Sequence, residues 1–139
     1  MSFDLKLADR VRNYLSEIPG IKIEEKKMFS GLAFMVNGKM CVNVSGENLM
    51  CRFNPEKQQE VEKKAGYLPM VMRGKEYKGY CYVSPDGIQK KKDLEYWMEL
   101  CLEFNSKAKH QKRRKSNHSV LFFLVIYNLI GDQSVFFLK

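Results

Sequence analysis

Asn37-Gly38 stands between two apolar runs, residues 32–36 and 39–44. No other feature limits the fold of this chain as strongly. An Asn-Gly pair between apolar runs predicts a β-hairpin, because a type I′ turn needs positive φ at both central residues. A two-residue loop then sets the register. Val36 is expected to face Lys39, Met35 to face Met40, Phe34 to face Cys41, and Ala33 to face Val42. On that register one face carries Ala33, Met35, Met40 and Val42 and reads as core. The other carries Phe34 and Cys41, with polar Lys39 and Asn43 near its ends, and reads as partly covered.

The flanks extend this hairpin. "SGEN", residues 45–48, is a second turn, and residues 49–53 complete a three-strand meander. Upstream, Leu7, Val11, Tyr14, Leu15 and Ile18 recur at helical spacing over residues 3–18. Ser2 is placed to cap this helix and Pro19-Gly20 to stop it. "IKIEEKKMF" reads as a connector with a short extended piece. Downstream, Asn54-Pro55 starts a short polar helix that Gly66 ends. Residues 77–83 read as a strand, with Lys78-Gly79 as a bulge or close backbone approach, and residues 70–72 as a shorter strand or a loop. "SPDG" is a turn. A long helix from about Lys91 to about residue 107 carries Leu94, Trp97, Met98, Cys101 and Phe104 on one stripe. Strands do not alternate singly with helices. The class is therefore α+β with an antiparallel sheet, in the order helix, three strands, helix, two strands, helix.

The charge is unevenly spread. Of a net +8, residues 1–105 contribute 17 Lys and Arg against 15 Asp and Glu, whereas residues 106–139 contribute 7 against 1. Residues 1–107 read as one domain and residues 108–139 as a basic, then apolar tail. The apolar run at 120–130 is shorter than the about 20 residues a spanning helix needs. Three readings of the tail compete: a membrane-surface segment, a segment packing on the domain or a partner, and an atypical terminus without function. The N-terminus has no apolar stretch of a secretory leader, so the expected compartment is the cytoplasm. Cys41, Cys51, Cys81 and Cys101 would then be reduced, and their apolar neighbours mark them as small core residues.

Catalytic chemistry finds little purchase. A P-loop needs GxxxxGK[ST] between a strand and a helix. Here Gly38-Lys39 is followed by Met40 inside a hairpin. Both histidines, His110 and His118, lie in the tail, which leaves the domain without a histidine base or zinc ligand. Glu95, Glu99 and Glu103 share a helical face with Lys91 and Lys92 and read as solvated. No catalytic, cofactor-binding or metal-ligating set emerges, and the expectation is a non-enzyme. "MRGKEYKGYCYV", residues 72–83, interleaves Arg73, Lys75 and Lys78 with Tyr77, Tyr80 and Tyr82. That pattern suits single-stranded nucleic acid, by stacking and phosphate contact, or an edge strand with buried aromatics and solvated lysines.

Two stretches together, "KKMFSGLAFMVNGKMCVNV" and, about 30 residues on, "MVMRGKEYKGYCYV", resemble the TfoX N-terminal domain family. The matching positions are Lys27, Met28, Phe29, Gly31, Gly38, Lys39, Gly74, Lys78, Gly79 and Tyr80. Ser30 stands where the family often has glycine, and Lys75 follows Gly74 where arginine is usual. The chain also has its basic and apolar tail where two-domain members carry a second helical domain. The resemblance covers about residues 5–107. It implies a secretion-chaperone-like α+β fold, a regulatory and non-catalytic role through protein contacts, a setting in transcription regulation, and pairing into a homodimer. Lys27, Met28, Phe29, Arg73, Lys75, Lys78 and Tyr80 form the candidate interaction surface, for a protein partner or, as the alternative, single-stranded nucleic acid.

Overall fold

A computed structural model describes residues 3–108. Helix α1, Leu5–Ser16, is capped by Asp4, whose carboxylate accepts from the amides of Lys6 at 2.9 Å and Leu7 at 3.2 Å. Ser2, the expected cap, lies outside the described residues. Leu7, Ala8, Val11 and Leu15 are buried along the expected stripe.

Six strands form a single antiparallel sheet: β1 Ile23–Met28, β2 Gly31–Val36, β3 Lys39–Ser45, β4 Asn48–Arg52, β5 Tyr67–Met72 and β6 Lys75–Val83. Their order across the sheet is β1-β2-β3-β4-β6-β5. Between β4 and β5 a tight helical turn, Pro55–Lys57, leads into the single-turn helix α2, Gln58–Val61. Asn54 caps this segment by accepting from Glu56 N–H at 2.9 Å. Helix α3, Lys91–Lys107, closes the domain. The chain is α+β, as expected, with one strand more than expected. The connector "IEEKKM" is β1, a fully paired edge strand. Its middle four residues are exposed and charged, so no apolar alternation announces it.

The Asn37-Gly38 turn forms as expected, with φ of 52° and 83°. Val36 faces Lys39 and Met35 faces Met40. The expected register then fails by one residue: Phe34 faces Val42 and Ala33 faces Asn43. Cys41 is the extra residue of a bulge, so Cys41 and Val42 both enter the core beneath the helices. Beyond the bulge Val42 and Asn43 change faces, and the face expected to be only partly covered is the one beneath the helices. Phe34, Cys41 and Val42 belong to the helix-covered core with Val11, Leu15 and Trp97. Ala33 and Met40 belong to a second buried cluster on the other face, and Met35 packs against it.

All four cysteines are buried and free, in the helix-covered core. On α3 the buried residues are Leu94, Trp97, Met98, Leu100, Cys101 and Asn105, while Phe104 is half-buried. Of the tail expected over residues 108–139, all but Ala108 lies outside the described residues, as do both histidines.

Candidate functional site

Three hairpin turns share one geometry. Each is a two-residue loop with both residues at positive φ: Phe29-Ser30 (56° and 61°), Asn37-Gly38, and Arg73-Gly74 (54° and 79°). Asn and Gly accept this conformation readily; other L-residues pay about 1–2 kcal/mol each. Phe29 and Ser30 are therefore unusual turn residues. Burial of the Phe29 ring, 1% exposed, returns about 1.5–3 kcal/mol.

Phe29 is buried with Ala33, Met40, Met50, Met70 and Met72, and Met28, Tyr77, Tyr80 and Tyr82 pack around them. The turn between β1 and β2 and the β5–β6 hairpin thus meet in one methionine-rich cluster, although the strands carrying them lie at opposite edges of the sheet. Buried Asn43 ties the first turn down, with Nδ2 donating to Met28 O at 3.1 Å. Gly31 sits so close to β3 that a Cβ there would lie 2.3 Å from Val44 O.

On β6 the chain bulges at Gly79, with φ of 88°. Its N–H donates to Gln58 Oε1 at 3.0 Å and its carbonyl accepts from Phe53 N–H at 2.8 Å. Gln58 also donates to Tyr67 Oη at 3.0 Å, which leaves this buried amide tied to three elements. The Arg52 guanidinium lies over the rings of Tyr80, 5.9 Å to the centroid, and Phe104, 5.2 Å. Burial raises the Tyr80 phenol above its ordinary value, and Arg52 opposes that rise.

Of the seven candidate residues, Met28, Phe29 and Tyr80 are brought together around the methionine cluster. Lys27 is exposed on β1, paired with Leu32 of the helix-covered core, and so lies on the other face. Arg73, Lys75 and Lys78 are exposed on the β5–β6 hairpin. The same hairpin holds two of the exposed large apolar side chains, Leu68 (41%) and Val71 (48%). Sequence reasoning passed over both: Leu68 precedes the segment read as a strand or loop at 70–72, and Val71 lies within that segment without a face assigned to it. Gln58 was passed over too, because nothing in its polar segment marks one amide as buried, and Asn43 reads in the sequence only as a polar residue near the end of the hairpin.

Comparison with known families settles the relationship. The model of the TfoX N-terminal domain matches residues 13–105. The chain belongs to the TfoX N-terminal domain family. No curated protein and no solved structure matches it.

In this TfoX N-terminal domain the residues carrying the earlier resemblance fall at the turns and at the bulge. Ser30, where glycine is often found, occupies a positive-φ position, which explains that preference. Burial raises the thiols of Cys41 and Cys51 well above the ordinary value. Glu25 on β1 is held below its ordinary value by the Arg12 guanidinium, which donates to it from Nε at 2.6 Å and from Nη2 at 2.9 Å. Among the described residues no three His, Cys, Asp or Glu side chains converge as metal ligands. Among them, too, no helix is long and apolar enough to cross a membrane.

Proposed function

We propose that this TfoX N-terminal domain is a non-catalytic regulatory module of the cytoplasm that works by protein contact, through its exposed β5–β6 hairpin. One observation carries the reading. Exposed Leu68 and Val71 lie on the same short hairpin as exposed Arg73, Lys75 and Lys78, and that hairpin is anchored by buried Met70 and Met72. Exposed apolar side chains and cations on one rigidly held hairpin suit a protein partner that offers apolar and acidic residues. The thiols support the non-catalytic part, since burial keeps Cys41 and Cys51 protonated and away from substrate.

The competing role, binding single-stranded nucleic acid, draws on the same cations. It needs free aromatic faces for stacking. Tyr77, Tyr80 and Tyr82 instead pack against the methionine cluster, and Arg52 lies over Tyr80. The test compares the wild-type chain with Leu68→Ser/Val71→Ser and with Arg73→Ala/Lys75→Ala/Lys78→Ala in pull-downs from the source cell. Loss of one defined protein partner with both variants supports the proposal. Retention of that partner by both overturns it. Nucleic acid that is retained at low salt and lost only with the triple variant favours the competing role.

A further inference from the structure

The two edges of the sheet differ in what their backbones offer. On β5, Tyr67 N–H is already donated to Lys64 O at 3.2 Å, and Pro69 has no N–H to give. That edge is closed to a regular ladder. On β1 the direction of the backbone groups follows from two observations. Asn37 N–H donates to Lys22 O at 2.8 Å, so Lys22 points toward β2. Met28 and Gly31 flank a two-residue turn, so Met28 points toward β2 as well. By alternation Glu24 and Lys26 also point inward, and Ile23, Glu25 and Lys27 present their N–H and C=O groups outward.

We propose that the β1 edge is a self-association surface, on which a second copy of this chain adds its own β1 antiparallel, about a two-fold axis through Glu25. In that register Ile23, Glu25 and Lys27 exchange ladder hydrogen bonds with Lys27, Glu25 and Ile23 of the second copy. Glu24 falls opposite the second copy's Lys26, and Lys26 opposite its Glu24. Those are non-hydrogen-bonded positions, where side chains come closest. Opposite charges directly across such a pair attract, and like charges repel.

The neighbouring two-fold registers are rejected by the same rule. An axis through Lys26 sets Lys26 against itself, and an axis through Glu24 sets Glu24 against itself, in each case at the close position. In the favoured register the one like-charge pair is Glu25 with its symmetry copy. It falls at the wider, hydrogen-bonded position, and each carboxylate is already held by its own Arg12. Of the two-fold registers centred on residues 24, 25 and 26, the one through Glu25 is thus the self-complementary one. This surface lies at the opposite edge from the β5–β6 hairpin. Each proposal can fail without the other.

Glu24 and Lys26 are exposed, so substituting them leaves the cores intact. Sedimentation equilibrium of the full chain is expected to show a dimer at micromolar concentration. Glu24→Lys alone and Lys26→Glu alone should each weaken self-association by about tenfold or more. Mixing the two variants should restore a heterodimer, because both cross-strand pairs then become opposite in charge. A wild-type chain that stays monomeric overturns the proposal. So does a dimer indifferent to both substitutions, or a mixture that fails to reassociate.

Discussion

Lys39 and Asn105 bond each other reciprocally across the helix-covered core. Lys39 Nζ donates to Asn105 O at 2.8 Å, and Asn105 Nδ2 donates to Lys39 O at 3.2 Å. Lys39 Nζ also donates to Ala108 O. One lysine at the start of β3 therefore caps the C-terminus of α3 with a cation where the helix dipole favours one. It also joins the central hairpin to the last helix of the domain.

This pair sets the first prediction. Asn105→Ala is expected to lower stability by about 1 kcal/mol, since Lys39 O loses a part-buried hydrogen bond. Lys39→Met should cost about 1–2 kcal/mol through loss of its charge-assisted bonds. Urea unfolding of both single variants and the double variant measures the coupling. Strict additivity would show that the two side chains do not act together.

Gly31 and Gly38 are both glycines of the central hairpin, yet they should respond differently to alanine. At Gly31 a Cβ meets Val44 O at 2.3 Å and Asn43 Oδ1 at 2.5 Å, and backbone must move. At Gly38 nothing lies within 4 Å, and the cost is only that of φ at 83°. Gly38→Ala is expected to cost about 1–2 kcal/mol and Gly31→Ala clearly more. Thermal melts of the two variants give the order directly, and the reverse order would contradict the packing.

Phe29 combines a buried ring with φ of 56°. Phe29→Ala should cost about 3–5 kcal/mol for the lost ring. Ordinarily glycine is worse than alanine. Here Phe29→Gly relieves the left-handed backbone, so it should be no less stable than Phe29→Ala. Denaturant midpoints decide it. A glycine variant weaker than the alanine variant by more than about 1 kcal/mol would mean that the turn carries no strain.

High pH should unfold the domain. Burial raises the thiols of Cys41 and Cys51 and the phenols of Tyr14, Tyr67, Tyr80, Tyr82 and Tyr96. A raised folded-state value means that the unfolded chain releases its proton first. The stability these groups contribute is complete below the unfolded values and is lost as pH climbs through the folded ones. The loss should therefore begin above about pH 8.5 for thiols and about pH 10 for phenols. At pH 7 a thiol reagent should label the native chain only slowly, and all four cysteines after unfolding. Rapid labelling of the native chain would contradict the burial.

Glu25 works in the opposite direction. Its folded-state value is lowered by Arg12, so its contribution is present above the ordinary carboxylate value and disappears as pH falls through the folded one. The pair is largely exposed, so the effect is small and should shrink with salt. Acid unfolding of Arg12→Gln beside the wild type measures it, and curves that run parallel from pH 7 to pH 3 would remove Glu25 from the account.

Local chemistry wrote much of this domain into its sequence. Asn37-Gly38 selects a type I′ turn whatever surrounds it, because two positive φ angles are required there. Asn54-Pro55 starts its helical segment, and the stripe on α3 buries one face at a 3.6-residue period. Those signals act over a few residues and need no partner elsewhere in the chain. Family membership over residues 13–105 was legible for the same reason, since its marks lie at turns and at the Gly79 bulge. Other features were decided only when distant segments met. β1 pairs through its backbone, which its charged side chains do not advertise. The bulge at Cys41 arises because the helices and the second cluster each claim one face of β3, and a bulge lets Cys41 and Val42 reach the same side. Phe29 holds a turn conformation that its own backbone disfavours, because its ring is buried in one cluster with methionines of β3, β4 and β5. An edge, a bulge and a strained turn each depend on contacts distant in sequence, and these only the tertiary structure could place.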